Sequence, residues 1–223
     1  MKERPILFSA PMVLAILGGR KTQTRRKIKD TGLYAIDDRY HGSDVAQRER
    51  ECLATRCPYG QPGDRLWVRE TFADLLGTGI ERITGDHGRY AYAADTPPGS
   101  YGDECRKDYG IKWRPSIHMP RLASRITLEI TGVRVERLQE ISEADALAEG
   151  IKAITKDGGQ TIKYGIPDAD GFPGTDDHGW AWKDWQYCRR TAYRDLWQRI
   201  NGPGSWDKNP WVWVIQFNTE IKK

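Results

Sequence analysis

The sequence has no apolar run approaching the roughly 20 residues of a membrane-crossing helix. Its longest early run, the six residues Met-Val-Leu-Ala-Ile-Leu at 12–17, is too short and badly flanked for a secretion signal. No membrane partner and a cytoplasmic location are therefore expected. Cysteine is sparse, with Cys52, Cys57, Cys105 and Cys188, and in that compartment the thiols are expected to be reduced. Cys52-x4-Cys57 lacks the close second pair that would make a zinc site convincing. No Asp/Glu cluster is spaced for two-metal cleavage, so neither a metal nor a cofactor is expected. A Gly-rich strand-to-helix loop is also missing, which disfavours a Rossmann fold, and there is no internal repeat.

What is present is a globular composition. The 223 residues are 38% hydrophobic and 30% charged and include 9 Trp, enough for one core with large excursions. Charge is unevenly spread. Residues 1–29 hold eight Lys or Arg against one acid, a formal +7 that leaves −3 for the rest of a chain whose total is +4. A local basic segment suits one anionic or electron-rich partner better than general stickiness.

The pattern along the chain predicts a short helix from Pro11 to Gly18, a polar loop over 30–58 with a helical turn or two near 44–53, and a strand over 65–69 entered by Pro62-Gly63-Asp64. Residues 124–138 alternate as one long strand bulged at Gly132 or as two strands. Ser142 caps a helix ending at Gly150, residues 187–200 form another helix, and 210–217 form a buried closing strand. Residues 73–112, with a hairpin near 89–93, and residues 152–183 read as irregular insertions. This order predicts an α+β fold: a small curved sheet or barrel with helices plugging its ends.

Chemistry concentrates in "GGRKTQTRR" at 18–26. In a helical turn Lys21 and Thr24 share one side; in an extended segment they oppose. A lysine partly withdrawn from water among other cations loses proton affinity and can activate a hydroxyl; the plainer alternative is a solvated basic surface. Glu149 ends a helix where a carboxylate opposes the dipole, so a cationic partner would explain it. Glu70 could equally be an exposed acid or part of a site. Trp113, His118 and Arg121 occupy a Pro-bounded loop of a kind that stacks and hydrogen-bonds a splayed base.

The order "ILGGRKTQTRR", "GDRLWVRE", "ISEADALAEGI", "WVWVIQF" resembles the ASCH domain of the PUA-like superfamily, most closely the phage and prophage type, over about half the chain. The resemblance implies one domain over 1–223, a PUA-like small β-barrel with flanking helices, interrupted by insertions at about 73–112 and 152–183. Small ASCH proteins include N4-acetylcytidine amidohydrolases that use a Lys, a Thr and a Glu. Matching motifs carry these onto Lys21, Thr24 and Glu149, although this chain is much longer than those enzymes. The implied activity is removal of an acyl group from N4-acetylcytidine or a similar modified nucleoside. Thr24 would be the nucleophile, Lys21 the base and Glu149 its orienter, with Arg20, Arg25 or backbone N–H groups at the oxyanion. The alternative is a module of phage origin binding RNA, single-stranded nucleic acid or modified bases, with Trp67 or Trp113 stacking a base and Arg25, Arg26, Lys27 and Lys29 meeting phosphates. A phage morphogenesis factor or a metal-independent nuclease is a further alternative.

Overall fold

The computed structural model describes residues 1–29, 32, 35–79, 89–174 and 179–221. In chain order the elements are β1 (Glu3–Leu7), α1 (Ala10–Leu17), β2 (Gln23–Lys27), α2 (Ser43–Ala54), β3 (Arg65–Arg69), β4 (Phe72–Asp74) and β5 (Tyr90–Tyr92). They continue with α3 (Tyr101–Asp108), β6 (Ile126–Arg137), α4 (Glu143–Ala148), β7 (Lys152–Thr155), β8 (Ile162–Gly165), α5 (Arg189–Asn201) and β9 (Trp211–Ile221).

The α+β class holds, with a five-stranded sheet ordered β1-β3-β6-β9-β2. β1 and β3 run parallel, and the other pairings are antiparallel. The expected barrel does not close. β1 and β2 remain edges, and in place of a ladder between them the Arg26 side chain reaches across to the Leu7 carbonyl at 2.7 Å. The same guanidinium lies 5.0 Å from the Phe8 ring centre.

The spine of the sheet is β6 against β9. Residues 126–137 form one strand rather than two, with the register shifting between Ile130 and Gly132. A Cβ on Gly132 would lie 2.7 Å from Gln216 Oε1, so a larger residue there would displace the end of that side chain. Ile126, Leu128 and Ile130 from β6 and Val212, Val214 and Ile215 from β9 are buried in the main core. Met12, Val13 and Ile16 of α1 and Ala192, Tyr193, Leu196 and Trp197 of α5 pack into the same cluster.

Both insertions have regular structure. The first contains the β4–β5 pair and α3, packed over two small satellite clusters around Phe72 and Ala73. The expected hairpin near 89–93 appears as β5, while residues 80–88 lie outside the described residues. The second contains the β7–β8 hairpin and delivers Ile166, Trp180 and Trp185 to the main core. Gly165 admits the Trp185 ring, from which a Cβ would stand only 2.6 Å away. The tryptophans of this segment thus pack into the same core as the sheet. Among the described residues, no helix is long and apolar enough to cross a membrane.

Candidate functional site

The segment after α1 is extended, not helical. Gly18 and Gly19, the latter at φ +68°, turn the chain out of the helix, with the Arg20 and Lys21 amides both donating to the Ala15 carbonyl at 2.9 and 3.0 Å. Lys21 then forms an isolated antiparallel bridge with Glu149, Thr22 N–H donates to the Ala148 carbonyl at 2.9 Å, and Gln23 begins the ladder with β9. Pairing with α4's end and with β9 satisfies the backbone groups that a free helical turn would leave exposed.

Ser142 caps α4, its hydroxyl accepting from Asp145 N–H, and the helix ends at Glu149 before Gly150 at φ +104°. Lys21 and Glu149 are only 2% and 3% exposed, which excludes both the solvated basic surface and the exposed helix-end acid. Lys21 Nζ donates to Glu149 Oε2 at 2.8 Å and to the Glu149 carbonyl at 2.9 Å. The ammonium thereby offsets both the buried carboxylate and the negative end of α4. Arg25 lies on the same side four residues on: Nη1 donates to Glu149 Oε1 at 3.1 Å, and Nη2 to Asp145 Oδ2 at 2.9 Å and Glu136 Oε2 at 3.1 Å. Arg134 joins the same two acids.

A cavity of about 460 Å³ opens beside this network. Lys21, Thr24, Arg25, Arg26, Lys27 and Glu149 all line it, with Phe8 and Ser9 on one side and Tyr193 and Trp197 of α5 on the other. Lys21 Nζ lies 5.7 Å from the Phe8 ring centre. Burial pushes the Lys21 amine below its ordinary value, against the pull of Glu149 and with help from Arg26 and Arg25. Burial likewise lowers Arg26 and pushes the Tyr193 phenol well up. Thr24 is buried, and its hydroxyl makes no hydrogen bond among the described residues. No direct hydrogen bond joins it to Lys21. The indole N–H of Trp197 also has no partner among the described residues.

The other expected binding residues lie elsewhere. Arg20 folds back over Gly18, where a Cβ would meet its Nη1 at 2.7 Å. Trp67 is buried, with Arg69 and Arg121 guanidinium carbons 4.8 and 5.9 Å from its ring, so no face is open for a base. Arg121 also pairs with Glu3 at 2.9 Å. Glu70 is buried in an ion pair with Arg125 at 2.9 Å, and burial raises its carboxyl. Trp113 carries the Arg106 guanidinium at 5.0 Å, and His118 is exposed. The 113–125 loop folds over the satellite clusters, and from it Ser116 reaches the cavity. Sequence reasoning missed Phe8, Ser9, Glu136, Asp145 and Tyr193 as site residues, since each reads as an ordinary strand, cap or core position. Among the described residues, no group of three or more His, Cys, Asp or Glu side chains is placed to hold a metal ion. Cys57 is buried while Cys52 is exposed.

No family model matches the chain, and no solved structure matches it. It is similar to a protein named Ribonuclease H from Shewanella loihica, 29% identical over 108 residues that cover 48% of this chain and 63% of that protein. A Ribonuclease H from Shewanella amazonensis is 30% identical over 108 residues, covering 48% of this chain and 64% of that protein. The chain thus spans less than two thirds of the length of these curated relatives.

Proposed function

We propose that the chain is an ASCH-type, PUA-like amidohydrolase that removes the acyl group from N4-acetylcytidine or a similar modified nucleoside. The supporting observation is the buried Lys21–Glu149 pair in the wall of a cavity that also receives the uncommitted Thr24 hydroxyl. A lysine with lowered proton affinity is neutral more often and can accept a proton.

In the first half-reaction Thr24 Oγ attacks the amide carbonyl carbon and its proton passes to Lys21 Nζ. Transfer requires approach to within about 3 Å or one bridging water. The tetrahedral adduct collapses, the C–N bond breaks, and Lys21 returns the proton to the departing N4 amine. Water then attacks the Thr24 ester, Lys21 accepts its proton, and the acid is released as the Thr24 hydroxyl is restored. Glu149 holds Nζ in place through both steps. The oxyanion does not fall to Arg20, which is outside the cavity, and both Nη atoms of Arg25 are committed to carboxylates.

A second reading, a nucleic-acid or modified-base binding module without catalysis, draws support from Arg26 and Lys27. Both line the cavity and pair with no carboxylate among the described residues. The name of the two relatives, that of a nucleic-acid hydrolase, points to the same ligand class.

Chromatography of N4-acetylcytidine incubated with the purified protein tests the choice. Cytidine release that disappears with Lys21→Met supports the enzyme. No release, with retained binding of single-stranded RNA, would overturn it in favour of the binding module.

A further inference from the structure

We propose that the corner of the cavity formed by Arg26, Ser9 and the N-terminus of α1 receives the phosphate of a nucleotide, so that the site prefers a phosphorylated ligand to a free nucleoside. What fills the rest of the cavity rests on the nucleoside reading above.

The charges of the wall divide unequally. Lys21 and Arg25 are taken up by Glu149, Asp145 and Glu136. Arg26 is half-buried; it has no carboxylate partner among the described residues, and its Nε, out of solvent, makes no hydrogen bond. A partly desolvated cation with unspent donors forms charge-assisted hydrogen bonds readily with an oxyanion. Its single anchor fixes where it points: Nη2 donates to the Leu7 carbonyl at 2.7 Å and the guanidinium lies 5.0 Å from the Phe8 ring centre. That places it beside the chain as it enters α1.

The helix end has independent capacity for an anion. Ser9 occupies the N-cap position, but its hydroxyl makes no capping bond, and it lines the cavity with Arg26. The first-turn N–H groups of a helix carry partial positive charge and favour bound oxyanions. Pro11 has no N–H to offer, so Ser9 and the Ala10 amide are the groups left at this end. Lys27 stands on the same wall. A phosphate has the oxygens to meet a guanidinium, a hydroxyl and a helix end together, and a cavity of about 460 Å³ has room for a nucleotide.

Calorimetric titration of the whole chain with cytidine and with cytidine 5′-monophosphate tests this without requiring turnover. The monophosphate is expected to bind at least about tenfold tighter, as for one charge-assisted contact. The ratio is expected to fall towards one in Arg26→Gln and part-way in Ser9→Ala, with thermal melts checking that each variant folds. If Arg26→Gln does not fold, Ser9→Ala and Lys27→Gln carry the test. Equal affinities in the unaltered protein, an undiminished ratio in the variants, an equal fall for both ligands, or no binding of either would overturn the phosphate site. A preserved ratio without N4-acetylcytidine hydrolysis would instead sink the amidohydrolase reading and leave the phosphate site standing.

Discussion

Lys21 and Glu149, 128 residues apart in the chain, are joined twice: Nζ donates to the carboxylate at 2.8 Å and to the same residue's carbonyl at 2.9 Å. The side-chain bond holds the charge, and the main-chain bond ties it to the end of α4. A pair so placed is at once part of the fold and the candidate reaction group.

Removing the carboxylate tests the structural half. Glu149→Gln leaves Lys21 buried without its counter-ion and takes one acid from Arg25. Loss of a buried partner typically costs about 3–5 kcal/mol, and urea unfolding should show a loss of this order. An unchanged midpoint would mean that the pair contributes little.

The pH dependence follows from the direction of the Lys21 shift. Its folded value lies below the ordinary 10.5 because of burial. Between the two values the unfolded chain binds the proton more readily, so the cost of burying Lys21 fades and stability rises as pH increases through that interval. A neutral Lys21 base makes kcat/KM climb over a limb centred below 10.5. Because Glu149 raises the Lys21 value, any residual activity in Glu149→Gln should have its limb at lower pH. A limb that stays put would separate Lys21 from the rate.

Thr24→Ala should abolish acyl release while leaving the Lys21–Glu149 bonds intact, because the hydroxyl makes no hydrogen bond among the described residues. Loss of turnover with a melting temperature within a few degrees of the original is expected. Retained turnover would remove Thr24 as the nucleophile.

Gly150 is held at φ +104°, and a Cβ there would lie 3.0 Å from Ala15 Cβ and 3.4 Å from Lys21 Cβ. Gly150→Ala should destabilise by about 1–3 kcal/mol through backbone strain and reduce turnover by displacing Lys21, both readable by denaturation and the same chromatographic assay. A neutral result would show that this turn yields without disturbing the site.

Trp113→Ala and His118→Ala should leave nucleoside affinity unchanged, because neither residue lines the cavity. A fall in affinity in a folded variant, measured by titration, would place the ligand on the 113–125 loop instead.

The local pattern was enough for the helix that Pro11 opens and Gly18 ends, the Ser142-capped helix before Gly150, the alternating strand at 65–69 and the long strand bulged at Gly132, because capping, turn chemistry and periodicity act over a few residues. That Lys21, Thr24 and Glu149 line one cavity was implied only by the resemblance to the ASCH domain, since their local spacing in an extended segment would set Lys21 and Thr24 on opposite sides. Tertiary structure alone decided the rest. Residues 21–27 are extended because α4's end and β9 satisfy their backbone, and the edge strands β1 and β2 are linked by the Arg26 side chain on the Leu7 carbonyl and not by a ladder. Arg25 and Arg26 are adjacent in sequence and equal in intrinsic charge. Arg25 is braced by three carboxylates and Arg26 by none among the described residues, a difference set by which distant acids the fold brings within hydrogen-bonding reach.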